Sequence, residues 1–357
     1  MDRGQAQPGD VVRILNGRAR PLGLAHFSST SQISLRRLSE RIIPVEKEFF
    51  HERIASAIEF RRRLPGLSGA CRLIHAEADL LPGLIVDRYG SWLSVQFLTQ
   101  GMDRARSWIV GSLMELLNPA GILGRNDAPA RRLESLPAQQ EILGGEVPET
   151  IEFEMNALHW TVNLRKGQKT GVFLDQRENY MAAAARARGR ALDCFTSTGG
   201  FALHLARNCE SVEAVDSSEL AIETARRNLA LNGISNVMFR QADAFDYLSH
   251  NPRRYDTVVL DPPAFAKTKQ QRANALRAYK EINCKAIRLL NPGGLLVTCS
   301  CSHHVSEADL LETIASAALD AGRTLRILER RTQASDHPIL LTVPETMYLK
   351  CLLLEAL

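Results

Sequence analysis

Between residues 9 and 45 apolar positions come in short alternating runs: Val11-Val12-Arg13-Ile14-Leu15, Leu22-Gly23-Leu24-Ala25 and Ile33-Ser34-Leu35-Arg36. The turn formers Asn16-Gly17 and Ser28-Ser29-Thr30-Ser31 separate them, which predicts the strands of a small β module. Over residues 45–63 the period changes. Phe49, Phe50, Ile54, Ala57 and Ile58 share one face, predicting a helix stopped by Leu64-Pro65-Gly66. Arg61-Arg62-Arg63 would stand at its C-terminal end, where the helix dipole favours cations. A second module spans about 70 to 150, with strand-like runs at Cys71–His75, Leu84–Val86 and Trp92–Leu98. A helix is expected over Met102–Leu117 and a further strand near Ile122-Leu123. Gly144-Gly145 then leads into strand-like Ile151–Phe153 and Trp160–Leu164.

From about residue 180 strands and helices alternate, the pattern of a doubly wound α/β sheet. The predicted strands are Ala191–Cys194, Val212–Val215, Val237–Arg240, Thr257–Leu260 and Leu295–Cys299. Helical stretches at 201–208, 218–231 and 273–290 lie between them, and 324–329 and 347–354 supply the final strands. This is a near-complete Rossmann-like set.

Composition adds a class. The 357 residues, 45% hydrophobic and 24% charged, suit an ordinary globular protein of more than one domain. No run approaches the ~18 apolar residues of a membrane span, and Met1-Asp2-Arg3-Gly4-Gln5 lacks an apolar signal core. Seven cysteines without a pairing rhythm fit reduced thiols, so the expected location is cytoplasmic, with no membrane partner. The net charge of +4 is uneven: residues 1–63 hold twelve Lys/Arg against seven Asp/Glu. A basic front section suits phosphate contacts, and equally a solvated helix face.

Candidate chemistry sits at the strand ends. The first Rossmann strand runs into Asp193-Cys194-Phe195-Thr196-Ser197-Thr198-Gly199-Gly200-Phe201. Gly199 and Gly200 stand where the chain must turn tightly and let a ligand approach the backbone. The run is not G-x-G-x-x-G, and the carboxylate of Asp193 would repel a pyrophosphate. It would welcome an amino-acid ammonium, as in S-adenosylmethionine. Asp216 ends the next strand, where a carboxylate can accept from ribose hydroxyls, and Asp243 after the third could take an adenine amino group. Each acid alone could be a helix N-cap. Phe195, Thr198, Gly199, Ser217 and Ala244, beside these acids, belong to the expected cofactor set, as does Asp261 after the fourth strand.

The fourth strand ends in Asp261-Pro262-Pro263-Ala264-Phe265. The prolines fix φ, holding the Asp261 carboxyl and carbonyl against a flat ligand, on which Phe265 could stack. Pro262, Pro263 and Phe265 are thus the expected substrate contacts. The fifth strand ends in Thr298-Cys299-Ser300-Cys301-Ser302-His303-His304, with two thiols on one side of an extended backbone. They could form half of a metal site, but no second Cys or His pair has ligand spacing, so no metal is expected. A nucleophile is the better reading. The C5 carbon of a pyrimidine is too poor a nucleophile to attack a methyl sulfonium, and a thiolate added at C6 activates it. Spacing alone does not choose between Cys299 and Cys301.

These residues carry a resemblance. The chain resembles the ribosomal large-subunit methyltransferase I (RlmI-like) enzymes, which methylate C5 of a cytosine in 23S ribosomal RNA. The shared stretches are Thr30-Ser31-Gln32-Ile33, Gly83–Gly90, Gly167–Arg177, Thr198-Gly199-Gly200-Phe201, Asp261-Pro262-Pro263, Ser300-Cys301-Ser302 and Asp336-His337-Pro338. The resemblance implies an α/β protein: a Rossmann-like class I methyltransferase domain preceded by a small α+β domain and a PUA-like β domain. The expected bounds are 1–65, 66–150 and 151–357. It also implies that Gln176 and Arg177 lie beside S-adenosylmethionine, and it favours Cys301, with Asp261, as the catalytic pair. Family members open with a few dozen further residues that include a His-Pro-Trp stretch, so an N-terminally shortened PUA-like domain is expected here. The implied partner is 23S ribosomal RNA, free or in a partly assembled large subunit, with a homodimer left open. Methylation of a uridine C5 or a guanine nitrogen, or a catalytically silent RNA-binding assembly factor, are the alternatives.

Overall fold

In the computed structural model, residues 5–67, 69–166, 172–266 and 268–357 are described. The stretch Gly167–Gly171 of the shared Gly167–Arg177 run lies outside them. The chain divides into two units: Met1–Ala157, Val162–Leu174 and Ser335–Thr346 in one, Leu158–Thr161, Asp175–Ala334 and Met347–Leu357 in the other.

In the first unit β1 (Val11–Leu15), β2 (Pro21–Phe27) and β3 (Leu35–Ser39) form an antiparallel sheet. Asn16 closes the β1–β2 turn, its Oδ1 accepting from the amides of Arg18 and Arg20. The strand predicted at Ile33–Arg36 begins at Leu35 instead. Serines hold the preceding residues as a turn, with the Ser31 amide donating to Ser28 Oγ and the Ile33 amide to Ser31 Oγ. Helix α1 (Lys47–Arg62) buries Phe49, Phe50, Ile54, Ala57 and Ile58, the face its period predicts. A second sheet runs in the order β4 (Ala70–His75), β5 (Leu84–Tyr89), β6 (Trp92–Phe97), β7 (Gly121–Asn126), β8 (Gln139–Gly145). Strand β8 is largely polar; its place comes from antiparallel pairing with β7, which hydropathy does not signal. The helix expected over 102–117 is two, α2 (Gln100–Arg104), capped by the Thr99 hydroxyl, and α3 (Arg106–Leu117). A short α4 (Ala130–Leu133) precedes β8, and β9 (Ile151–Met155) and β10 (Leu158–Val162) follow it.

The second unit is built on a sheet ordered β13-β12-β11-β14-β15-β17-β16. Its strands are β11 (Arg190–Cys194), β12 (Ser211–Asp216), β13 (Val237–Gln241), β14 (Tyr255–Leu260), β15 (Leu290–Ser300), β16 (Leu325–Arg331) and β17 (Lys350–Ala356). The first five are parallel, and β17 runs antiparallel between β15 and β16. The central strands read as continuous apolar runs because both faces are covered. Helices α5 (Arg177–Arg186), α6 (Gly200–Leu205), α7 (Glu219–Leu231), α8 (Ala244–His250), α9 (Arg272–Leu289) and α10 (Glu307–Asp320) connect the strands. Helix α10 starts on a reciprocal cap between Ser306 and Asp309, a start signal the periodic pattern alone passed over. The order in which successive strands are added reverses between the parallel neighbours β11 and β14, and the crevice beyond their carboxyl ends is where such sheets take ligands. No helix among the described residues is long and apolar enough to cross a membrane.

Candidate active site

The loop after β11 is shaped by backbone conformations that L-residues rarely adopt: φ is +65° at Phe195, +49° at Ser197 and +92° at Gly199. Asp193 Oδ2 holds this loop, accepting from Thr196 Oγ1 at 2.6 Å and from the Ala202 amide at 3.0 Å. Thr198 sends its carbonyl to Asn228 Nδ2 at 3.1 Å. Gly200 is required by proximity rather than by φ. A Cβ there would lie 2.5 Å from the ring and hydroxyl of Tyr180 on α5.

Asp193 is fully buried, and among the described residues its Oδ1 has no hydrogen-bond partner. Burial, then the charges of Asp261 and Asp216, push its carboxyl up to about 7. Asp261 and Asp216, from two other strand ends, therefore stand close enough to act on Asp193. Asp216 accepts from the amides of Ser197 and Ser218, each at 2.9 Å, which ties the first loop to the second. Asp243 is the N-cap of α8, with Oδ1 accepting from the amides of Phe245 and Asp246 at 2.8 and 3.1 Å. Ala244, the first residue of α8, is buried, while Ser217 is exposed.

Asp261 follows β14 and its Oδ1 accepts from Gln176 Nε2 at 2.9 Å. Gln176 Oε1 in turn accepts from Asn179 Nδ2 at 2.7 Å, so the carboxyl is aimed by a buried amide relay. Arg177 opens α5 beside this relay and is buried. Pro262 is buried and Pro263 exposed. Phe265 packs on Tyr279, ring centroids 4.8 Å apart, and faces Phe245 at 6.0 Å.

The two cysteines separate sharply. Cys299 is sealed inside the sheet opposite Cys351 of β17, and burial first, then Cys351, hold its thiol well above the ordinary range. Cys301 lies just past the strand and is half-buried. Its two neighbours are pinned by one hydroxyl: Ser300 Oγ lies 2.9 Å and Ser302 Oγ 3.1 Å from the Tyr279 hydroxyl. The Ala266 amide donates to Ser302 Oγ at 3.3 Å, so the Cys301 turn and the Asp261–Phe265 loop are fastened together. Tyr279, Asn179 and Lys350 were not singled out by spacing. Lys350 carried a readable signal, a lone cation in the apolar run Leu349-Lys350-Cys351-Leu352-Leu353-Leu354.

Known proteins resemble this chain in sequence and in fold. The chain is 41% identical to Ribosomal RNA large subunit methyltransferase I of Shewanella amazonensis, covering 98% of this chain and 91% of that protein. With the protein of the same name from Shewanella denitrificans the identity is 42%, over 97% and 90%. The chain belongs to the ribosomal RNA large subunit methyltransferase I family. A family model described as a methyltransferase domain matches residues 186–334, and one described as a PUA-like domain matches residues 1–40. A solved methyltransferase in complex with SAH superposes with a TM-score of 0.86 at 20% identity, over 98% of this chain and 92% of that one. A SAM-dependent methyltransferase from Streptococcus mutans gives 0.84 at 19%, over 99% and 93%. At those identities the likeness is one of fold. As a family member the protein is a methyltransferase, and its cofactor is S-adenosylmethionine. The residues fit that cofactor: the buried Oδ1 of Asp193, without a partner among the described residues, suits an ammonium, and the Asp216 carboxylate stands at the strand end where sheets of this kind hold a ribose.

Proposed function

We propose that this cytoplasmic methyltransferase modifies C5 of a cytosine in 23S ribosomal RNA, with Cys301 as nucleophile and Asp261 at the reacting base. The observation that carries this reading is the contrast between the buried Cys299 and the half-buried Cys301, the latter fastened to the Asp261 loop. Methyl transfer to an exocyclic amine needs no thiol; transfer to a pyrimidine C5 does. S-Adenosylmethionine supplies an electrophilic methyl group on a sulfonium. Asp193, Asp216, Asp243 and the loop Phe195–Gly199, with Ser217, Ala244, Gln176 and Arg177, form the proposed cradle for it. Pro262, Pro263 and Phe265 form the proposed wall for a base taken out of its stack, at a cost of a few kcal/mol.

In the proposed sequence the Cys301 thiolate forms a bond to C6 and C5 becomes nucleophilic. C5 takes the methyl group as the bond from that methyl to the donor's sulfonium sulfur breaks. A base then removes the C5 proton, the C5–H pair re-forms the C5=C6 bond, and the Sγ–C6 pair leaves on sulfur as the thiolate. Asp261 is aimed by Gln176 and holds the base edge. The PUA-like front section, residues 1–65, is the proposed RNA-binding module, matching its excess of Lys and Arg.

Incubation with 5-fluorocytidine RNA tests the reading, because fluorine at C5 cannot leave as a proton does. A stable protein–RNA adduct is expected with the wild type and not with Cys301→Ser; an adduct that survives the substitution removes Cys301 from the role. Mass spectrometry of ribosomal RNA from cells with and without the gene names the base. A missing methyluridine or methylguanine would replace the cytosine assignment, and no missing mark would favour a silent assembly factor.

A further inference from the structure

Lys350 is a buried cation that the sequence of steps above does not use. It lies on β17 opposite Ser300 of β15, and its residue is 6% exposed. Its Nζ donates to the carbonyl oxygens of Ser302 at 2.8 Å and Tyr348 at 3.0 Å. These bonds hold the ammonium against the turn that contains Cys301. Buried charges are ordinarily paired with an opposite charge. Among the described residues no carboxylate stands at ion-pair distance from this one. Glu307 and Asp309 act on it only from further off, and both are engaged: Glu307 by Arg330 at 2.7 and 2.8 Å, Asp309 by Arg272 at 2.5 Å.

We propose that Lys350 is a positioning residue for the reaction: its ammonium is the counter-charge that stabilises the Cys301 thiolate. This rests on the reading of Cys301 as nucleophile. A free thiol is only a few per cent ionised at neutral pH, so a thiol that must attack C6 needs a cation nearby. Among the described residues, two further titratable groups beside the pair are held toward their neutral forms. Burial raises the Tyr279 hydroxyl, and burial, then Lys350 and His304, push His303 toward its neutral form. Burial also lowers the Lys350 ammonium, and Cys301 is first among the groups that raise it back, as a mutual pair requires.

Iodoacetamide alkylation of the full-length protein, read at the Cys301 peptide by mass spectrometry from about pH 5 to about pH 10, measures the thiol's inflection. The wild type is expected to titrate below the ordinary thiol value of ~8.5. Lys350→Met is expected to raise the inflection by about one unit, slowing alkylation at neutral pH about tenfold, while Lys350→Arg stays near the wild type. A wild-type inflection at or above ~8.5 overturns the proposal without any variant, and so does an inflection unmoved in Lys350→Met. The adduct assay reads the other premise separately. A depressed thiol that forms no adduct removes Cys301 as nucleophile and leaves its pairing with Lys350 standing.

Discussion

In the first unit the guanidiniums of Arg61, Arg72, Arg125 and Arg131, all largely buried, meet the carboxylates of Asp79, Asp87, Asp127 and Asp103 at 2.5 to 3.1 Å. In the second, the buried carboxyl of Asp193 and the buried ammonium of Lys350 meet no charge of opposite sign at that distance among the described residues. The first arrangement is complete within the chain, so its worth is measured in folding. An unpaired buried charge opposes folding and persists where a ligand or a reacting group completes it. The difference separates scaffold from site without reference to any motif.

The largest effect on this contrast is expected in the scaffold. Asp87→Asn keeps the shape of a fully buried side chain but removes the charge that Arg72 meets at 2.5 Å. Urea unfolding should show a loss of about 3–5 kcal/mol, and a loss under ~1 kcal/mol would reduce this pair to the rank of a surface contact.

Asp193→Asn should act in the opposite sense, on binding rather than folding. Calorimetry should find cofactor affinity down roughly tenfold to hundredfold, the ~1.5–3 kcal/mol of a hydrogen bond to a charged group. The pH dependence follows from a carboxyl that titrates at about 7 in the fold and at ~3.9 unfolded. Between those values the native state holds the proton that the unfolded chain releases. Stability of the free protein therefore falls as pH rises through this window and levels off above it. An ammonium needs the ionised carboxylate, so cofactor affinity should rise with pH through about 7. Both slopes should vanish in Asp193→Asn; slopes that persist would assign them to another group.

Tyr279→Phe is the smallest change. It deletes the hydroxyl shared by Ser300 and Ser302 and should cost about 1 kcal/mol of stability. Turnover should drop with cofactor affinity unchanged, because only the Cys301 turn loses one of its anchors; unchanged turnover would show that the remaining contacts hold the turn without this hydroxyl.

Much of the second unit was legible along the chain. Apolar runs such as Val258–Leu260 and Leu295–Val297 are long enough to be buried parallel strands, and the acids that end them mark the crevice. Helices α5, α8 and α10 were not read: α5 is alanine-rich with little contrast between its faces, and α8 has only two buried residues. The division of labour between Cys299 and Cys301 was not legible either. Their spacing puts both thiols on one side of a strand, and only the end of β15 after Ser300 leaves one inside and the other outside.

The sequence by itself determined the order of the second unit's strands, the positions of Asp193, Asp216 and Asp261 at strand ends, and the pair of thiols in Cys299-Ser300-Cys301. Those features are local, set by period, by turn formers and by residue type. Tertiary structure alone decided which charges are paired. It brought Lys350 from the last strand to the turn after Cys301, 49 positions earlier in the chain. It also buried Asp193 with one oxygen that no described residue satisfies. Burial and the identity of a charge's neighbours depend on strands that meet only when the sheet closes, and no window of sequence contains them.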